Sequence, residues 1–402
     1  MEDFIREKIK EKPLNKKKVA VKLGISALCG LVFALVAIVV FAIAMPIITK
    51  SSDSEPVASD DETEQDTQVQ TIEIVELPAN SDYTMSISDY QYVQNQLYSV
   101  GASASKSIVS ITRVVDGTDI FNNSYETEGQ AVGLVVGDNG KQLLILTEKS
   151  FVEGADKLSV TFANDTVVDA MVVKYDSITG MAIVSVDESL LDNQTKSQIV
   201  VAKLSAASSM SRGSVVIALQ TNYSILTGIV TSTSNEVSAH DNNYSIITTD
   251  IAASKKESGI LINTSGEVVG LELSGLAPSE DTIVAVSVYD LAPIIEMLEN
   301  GSDVPYLGCT ITNVTDKIAN RYNIPKGVYI KEVAMDSPAF EAGLQSGDVV
   351  TEINDQKVSS VTAYNDVLLA LKPGETYDIK IKRKGSNGYT EITCQAKIGV
   401  LN

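Results

Sequence analysis

The chain has 402 residues, 44% hydrophobic and 21% charged, a balance that suits two or three folded domains and excludes wholesale disorder. Its formal net charge of −21, with no basic stripe to offset it, excludes nucleic acid as a partner. One histidine and three scattered cysteines exclude a metal centre, and no cofactor is expected.

Residues 1–23 form a basic cytoplasmic segment, with Arg6, Lys8, Lys10, Lys12, Lys16, Lys17, Lys18 and Lys22 against Glu2, Asp3, Glu7 and Glu11. Residues 24–48 carry no charge, and about 20 apolar residues span the hydrocarbon core as a helix. Basic residues before this run and acidic ones after it predict a single-pass membrane helix with everything beyond it extracytoplasmic. Ala42-Ile43-Ala44 leaves a cleaved signal peptide as the alternative, although the apolar run exceeds a signal core of about 7–15 residues. Residues 49–89 are expected to be a flexible acidic stalk. Its 51–71 portion holds Asp53, Glu55, Asp60, Asp61, Glu62, Glu64 and Asp66, with too little apolar surface to offset the entropy of folding.

Residues 90–104 begin a folded region (90–300) as a short helix, and 106–112 alternate as a strand should. Short β-rich runs follow over 130–136, 141–147, 158–162, 167–174, 182–186, 214–220, 225–232, 245–249, 260–262 and 267–273. Turn clusters such as Gly137-Asp138-Asn139-Gly140 separate them, a pattern of barrels or sandwiches. Residues 291–298 predict a closing helix, and Gly301-Ser302-Asp303 marks the start of a last domain, 301–402. There, Pro338 opens a helix over 338–342 that Gly343 ends. Cys29 falls in the apolar run as a small apolar residue, whereas Cys309 and Cys394 could be bonded or could be two buried thiols.

Three segments carry a resemblance. Leu143-Leu144-Ile145-Leu146-Thr147-Glu148-Lys149-Ser150-Phe151-Val152 resembles the strand and turn that hold the general-base histidine of HtrA-type serine proteases, with Ser150 at the histidine position. Asp176-Ser177-Ile178-Thr179-Gly180-Met181-Ala182-Ile183-Val184 resembles the segment supplying the orienting aspartate, and that position is Gly180. Lys256-Glu257-Ser258-Gly259-Ile260 resembles the nucleophile segment, with Ser258 retained. Beyond these, Tyr306-Leu307-Gly308-Cys309-Thr310 and Ser337-Pro338-Ala339-Phe340-Glu341-Ala342-Gly343-Leu344-Gln345-Ser346-Gly347-Asp348-Val349-Val350 resemble an HtrA-type PDZ domain. The resemblance implies a mainly β architecture: a trypsin-like double β-barrel, then a PDZ domain, behind an N-terminal transmembrane helix. It also implies peptide capture by the PDZ domain at Tyr306, Leu307, Gly308, Cys309 and Thr310, and it raises the possibility of a homo-trimer.

The chemistry of that resemblance is incomplete. A serine hydroxyl needs a base to take its proton and a carboxylate to orient that base. Ser150 and Gly180 supply neither, and Lys256 stands where glycine would shape the oxyanion hole. Lys149, Lys255 and Lys256 are candidates for a substitute base, though exposed loop lysines are the plainer reading. His240, in the polar run Ser238-Ala239-His240-Asp241-Asn242-Asn243, reads as a solvated surface turn. The leading expectation is a pseudoprotease that binds peptide termini or unfolded segments, as a scaffold, sensor or chaperone. The alternatives are an active endopeptidase with a non-standard base for Ser258, and a structural envelope protein. Gly308 is expected to let the loop backbone approach a terminal carboxylate, which a Cβ would crowd.

Overall fold

The computed structural model describes residues 85–402 except 119–123, 208–209, 221–222, 254–258 and 402, and no side chain of 116–118 or 124–128. The expected basic segment and membrane helix, nearly all of the stalk, and Ser258 lie outside the described residues. Among the described residues no helix is long and apolar enough to cross a membrane.

Helix α1 (Ile87–Ala104) opens on a capping box, in which Asp89 N donates to the Ser86 hydroxyl and Ser86 N donates to the Asp89 carboxylate. That reciprocal cap starts the helix ahead of the expected residue 90. Leu97, Val100 and Ala104 seat its second half on the hydrophobic core.

Strands β1 (Ile108–Thr118), β2 (Ser124–Asp138) and β3 (Gln142–Glu148) lead into a short helix, α2 (Lys149–Val152). Then β4 (Lys157–Thr161), β5 (Val167–Tyr175) and β6 (Met181–Asp187) close a barrel in the order β1-β2-β3-β6-β5-β4. After α3 (Asn193–Gln198) come β7 (Val215–Gln220), β8 (Ile225–Ser238), β9 (Asn243–Ala252), β10 (Gly259–Ile262), β11 (Val268–Leu271) and β12 (Thr282–Ser287). These six close a second barrel in the order β10-β11-β12-β9-β8-β7, sealed by α4 (Val288–Glu299).

Period-two alternation decides where each strand residue goes. Val109 and Ile111, Leu143 and Ile145, and Ala182 and Val184 point into the first barrel. Ile108, Leu144, Leu146, Met181 and Ile183 face the other way, into a layer shared with Ile217, Leu219, Ile246 and Ile260 of the second barrel. Strands β3 and β6 are therefore buried on both faces, which is why they read as continuous apolar runs rather than alternating ones. Several expected bounds change. The strand expected over 267–273 ends at Leu271, β12 was not among the expected strands, and the one expected over 225–232 continues to Ser238.

The last region holds β13 (Cys309–Asn313), α5 (Asp316–Tyr322), β14 (Val328–Val333) and α6 (Pro338–Glu341). It ends with β15 (Val349–Ile353), β16 (Gln356–Lys357), α7 (Val361–Leu369), β17 (Thr376–Gly385) and β18 (Gly388–Lys397). The sheet runs β13-β14-β15-β17-β18, with β16 paired to β15. Ile311, Ile330, Ile353, Tyr364, Leu368, Ile379 and Ile381 form its own core. Cys309 and Cys394 are buried free thiols.

Candidate functional site

Two places gather the residues singled out by sequence. The first is the cleft between the barrels. Ser150 is exposed on α2, and the turn is held by Arg113 Nη1 of β1, which donates to the Ser150 and Phe151 carbonyls at 3.2 and 3.3 Å. Lys149 N, one residue before the histidine position of the resemblance, donates to the carbonyl of Gly180 at 2.7 Å. Gly180 closes its turn at φ +74°, a left-handed backbone that favours glycine. Asp176, the carboxylate that opens this turn, does not take the orienting role. Asp176 spends its side chain on its own turn, accepting from Thr179 N at 2.8 Å and Thr179 Oγ1 at 2.6 Å.

Lys149 is engaged elsewhere. Its Nζ lies 4.5 Å from the Tyr175 ring centroid, donates to Ser177 Oγ at 2.7 Å and pairs with Glu153 at 3.3 Å. These contacts hold the ammonium against Tyr175, Ser177 and Glu153. Lys255, Lys256 and Ser258 fall outside the described residues, but Gly259, which opens β10, faces Thr147 and Glu148 across the cleft. Glu148, which sequence reasoning passed over, accepts from Ser274 Oγ at 2.7 Å. Burial pushes its carboxyl above the ordinary glutamate value, against the hydrogen bonds from Ser274 and Ser150.

The second place is the loop before β13. Ala334 N donates to the Gly308 carbonyl and Ala339 N to the Leu307 carbonyl, both at 2.9 Å, which fixes the loop from behind. Gly308, at φ +94°, lets consecutive N–H groups point to one side, as in an anion nest. A Cβ at 308 would meet Ser337 Cβ at 2.4 Å and Tyr306 Oη at 2.8 Å. The reason for glycine is thus correctable: the crowding lies within the loop's own support, not on the side its N–H groups face. Tyr306 pairs with Gly399 through two backbone bonds, and Leu307 and Cys309 are completely buried.

The N–H groups of this loop are not free. Leu307 N and Gly308 N donate to Asp241 Oδ2 at 2.8 and 2.7 Å, and Cys309 N donates to Asp241 Oδ1 at 3.0 Å. Tyr364 Oη of α7 completes the set, donating to Oδ1 at 2.9 Å. Burial pushes the Asp241 carboxyl up, opposed by those backbone donors and by Tyr364. The neighbouring His240 pairs with Thr310 in an antiparallel bridge and meets the Tyr306 ring edge-on at 5.9 Å. The run 238–243 is therefore not the solvated turn its composition suggests, because Asp241 and Asn242 are buried against the last domain.

Comparison with known proteins agrees with this architecture. Residues 131–271 match the trypsin-like peptidase domain model, and residues 305–393 match the PDZ domain model. The serine protease Do-like HtrA of Bacillus subtilis (strain 168) is 28% identical over 329 residues, covering 73% of this chain and 71% of that protein. The Do-like HtrA of Lactobacillus helveticus is 27% identical over 295 residues, covering 68% of this chain and 70% of that protein. A probable periplasmic serine endoprotease DegP-like of Halomonas elongata is 27% identical over 283 residues, 67% of this chain and 57% of its own. Among solved structures, the HtrA-type protease AlgW with decapeptide superposes with a TM-score of 0.54 at 19% identity, over 76% of this chain and 99% of that one. At that identity it speaks for the fold alone. A trypsin-like peptidase domain followed by a PDZ domain, with Do-like relatives spanning both, makes this chain a member of the HtrA-like family.

Proposed function

We propose that the chain is a membrane-anchored, extracytoplasmic pseudoprotease that binds peptide carboxy-termini or unfolded segments through its PDZ domain. The observation that carries the first half is the identity of the residues at the two matching positions, Ser150 and Gly180, whose turns are joined by Lys149 N donating to Gly180 O. A serine and a glycine at the positions read as base and orienter offer no group able to do either task. Triad members act as a unit, and loss of the nucleophile or the base costs about a millionfold in turnover. The reading of the PDZ half rests on the loop at Leu307–Cys309, whose N–H groups converge on a carboxylate as a terminus-binding loop requires. Anchoring follows from the charge-free run over 24–48 and its basic flank, and the periplasmic placement named for the Halomonas relative is in keeping with it.

The test is direct. The purified chain should leave unfolded casein intact and should resist a fluorophosphonate probe. Labelling that disappears in Ser258→Ala would restore the endopeptidase reading.

A further inference from the structure

The geometry points to an internal ligand in the PDZ groove. We propose that the 238–243 loop of the second barrel occupies that groove as a tethered competitor. The Asp241 side chain stands where the terminal carboxylate of a bound peptide would be held. This rests on the peptide-binding reading above and adds to it how the same site is controlled.

Three features make the loop resemble a bound terminus. The first is the carboxylate. A carboxylate offers about four lone-pair positions, and Asp241 receives four donors, from Leu307 N, Gly308 N, Cys309 N and Tyr364 Oη. No donor is left for a second carboxylate, so the two occupants exclude each other. The second is strand addition. Asp241 N donates to Cys309 O at 2.7 Å, and His240 bridges Thr310 antiparallel, so the loop adds to the edge of β13 as an extended peptide would. On the opposite wall, Asn365 Nδ2 of α7 reaches the Asp241 carbonyl at 3.4 Å. The third is the turn that ends the imitation. Asp241 sits at φ +63°, a left-handed conformation that aspartate tolerates better than most residues. There the chain reverses, closed by Ala239 N donating to Asn242 O at 3.0 Å, at the point where a free terminus would simply stop.

Occupancy by the chain's own carboxylate lowers the apparent affinity of any incoming terminus by the fraction of molecules with the groove open. A groove open in about 1–10% of molecules binds about 10- to 100-fold more weakly than a permanently open one. The same displacement frees the PDZ domain's hold on the second barrel, which couples capture of a terminus to a change between domains.

The test uses the full chain in detergent, with Asp241→Asn and Asp241→Ala beside it. The probes are fluorescent decapeptides ending in Val, Leu or Phe, each as free acid and as amide. In the variants the amides of 307–309 should exchange hydrogen faster than in the native chain. The free-acid peptides should bind about 10- to 100-fold more tightly to the variants, and in each form of the chain more tightly than their amides. In the native chain, saturating free-acid peptide should speed exchange at the Asp241 amide as the loop leaves β13. This last measurement needs no variant, so misfolding of either substitution does not shield the idea. Equal binding of the free-acid peptides to native chain and variants, or an Asp241 amide that stays protected when peptide is bound, would overturn the internal ligand and leave peptide capture standing. No free-acid binding by any form would overturn peptide capture, and the competition with it.

Discussion

Glu148 lies between the barrels with Ser274 Oγ donating to its carboxylate, and burial raises its pKa above the ordinary glutamate value. A group that holds its proton more tightly in the fold contributes stability that is complete below its unfolded pKa and is lost as pH rises through the folded one. Glu148→Gln keeps an acceptor for Ser274 and removes the charge. The variant is expected to melt higher than the native chain near neutral pH and to converge with it as pH falls to about 4. Thermal melts across that range check it, and a lower neutral-pH midpoint for the variant would mean that the hydrogen bonds to the carboxylate outweigh its burial. The strand ends beside Ser150 and Gly180 could be read from the sequence because β3 and β6 are strongly apolar. Asp241 could not. Its polar neighbours have the composition of a solvated turn, and the loop it binds lies 66 residues further along the chain.

At the level of elements, the turn from α6 into β15 depends on one buried carboxylate. Asp348, 1% exposed, accepts from Arg383 Nε and Nη2 at 2.7 Å each and from Gln345 N at 2.9 Å. This fork ties β17 to the start of β15, and Arg383 Nη2 also reaches the Gly343 carbonyl. Removing one partner of such a pair costs about 3–5 kcal/mol when both are buried. Arg383 is partly exposed, so Asp348→Ala should fall at the lower end of that range, read as a shift in the denaturant midpoint of the last domain. A shift near zero would mean that water replaces the fork without loss. Asp348 belongs to the Ser346-Gly347-Asp348-Val349-Val350 run, which is legible as a motif, whereas its partner is not. Arg383 lies among the alternating charges of β17, where nothing local distinguishes it from Lys382 or Lys384. Short apolar strands separated by turn residues made a barrel or sandwich readable, and the resemblance to HtrA-type proteases chose the two barrels. Strand β12 escaped because it follows the polar stretch after Leu276 and has no turn signal at its far end, where it runs directly into α4.

For the whole molecule, residues from Tyr83 onward form one compact unit, and the expected order of anchor, stalk and folded body can be tested from outside the cell. The chain has no Lys or Arg between Lys50 and Lys106, so trypsin meets no site in the acidic stretch. A glutamate-specific protease meets Glu55, Glu62, Glu64, Glu73 and Glu76 there. The capping box at Ser86 closes the first helix beyond the last of these, and strands close both barrels behind it. If residues 24–48 hold the chain in the membrane with the remainder outside, that protease added to intact cells should release a soluble fragment. Its first residue should be Leu77 or lie a little before it, and the fragment should retain the PDZ domain. Amino-terminal sequencing of the released material reads this directly. A cell-free chain beginning at Met45 without added protease would instead mark cleavage after Ala42-Ile43-Ala44. Complete resistance of a chain that becomes cleavable only after lysis would place the folded body on the cytoplasmic side and overturn the topology.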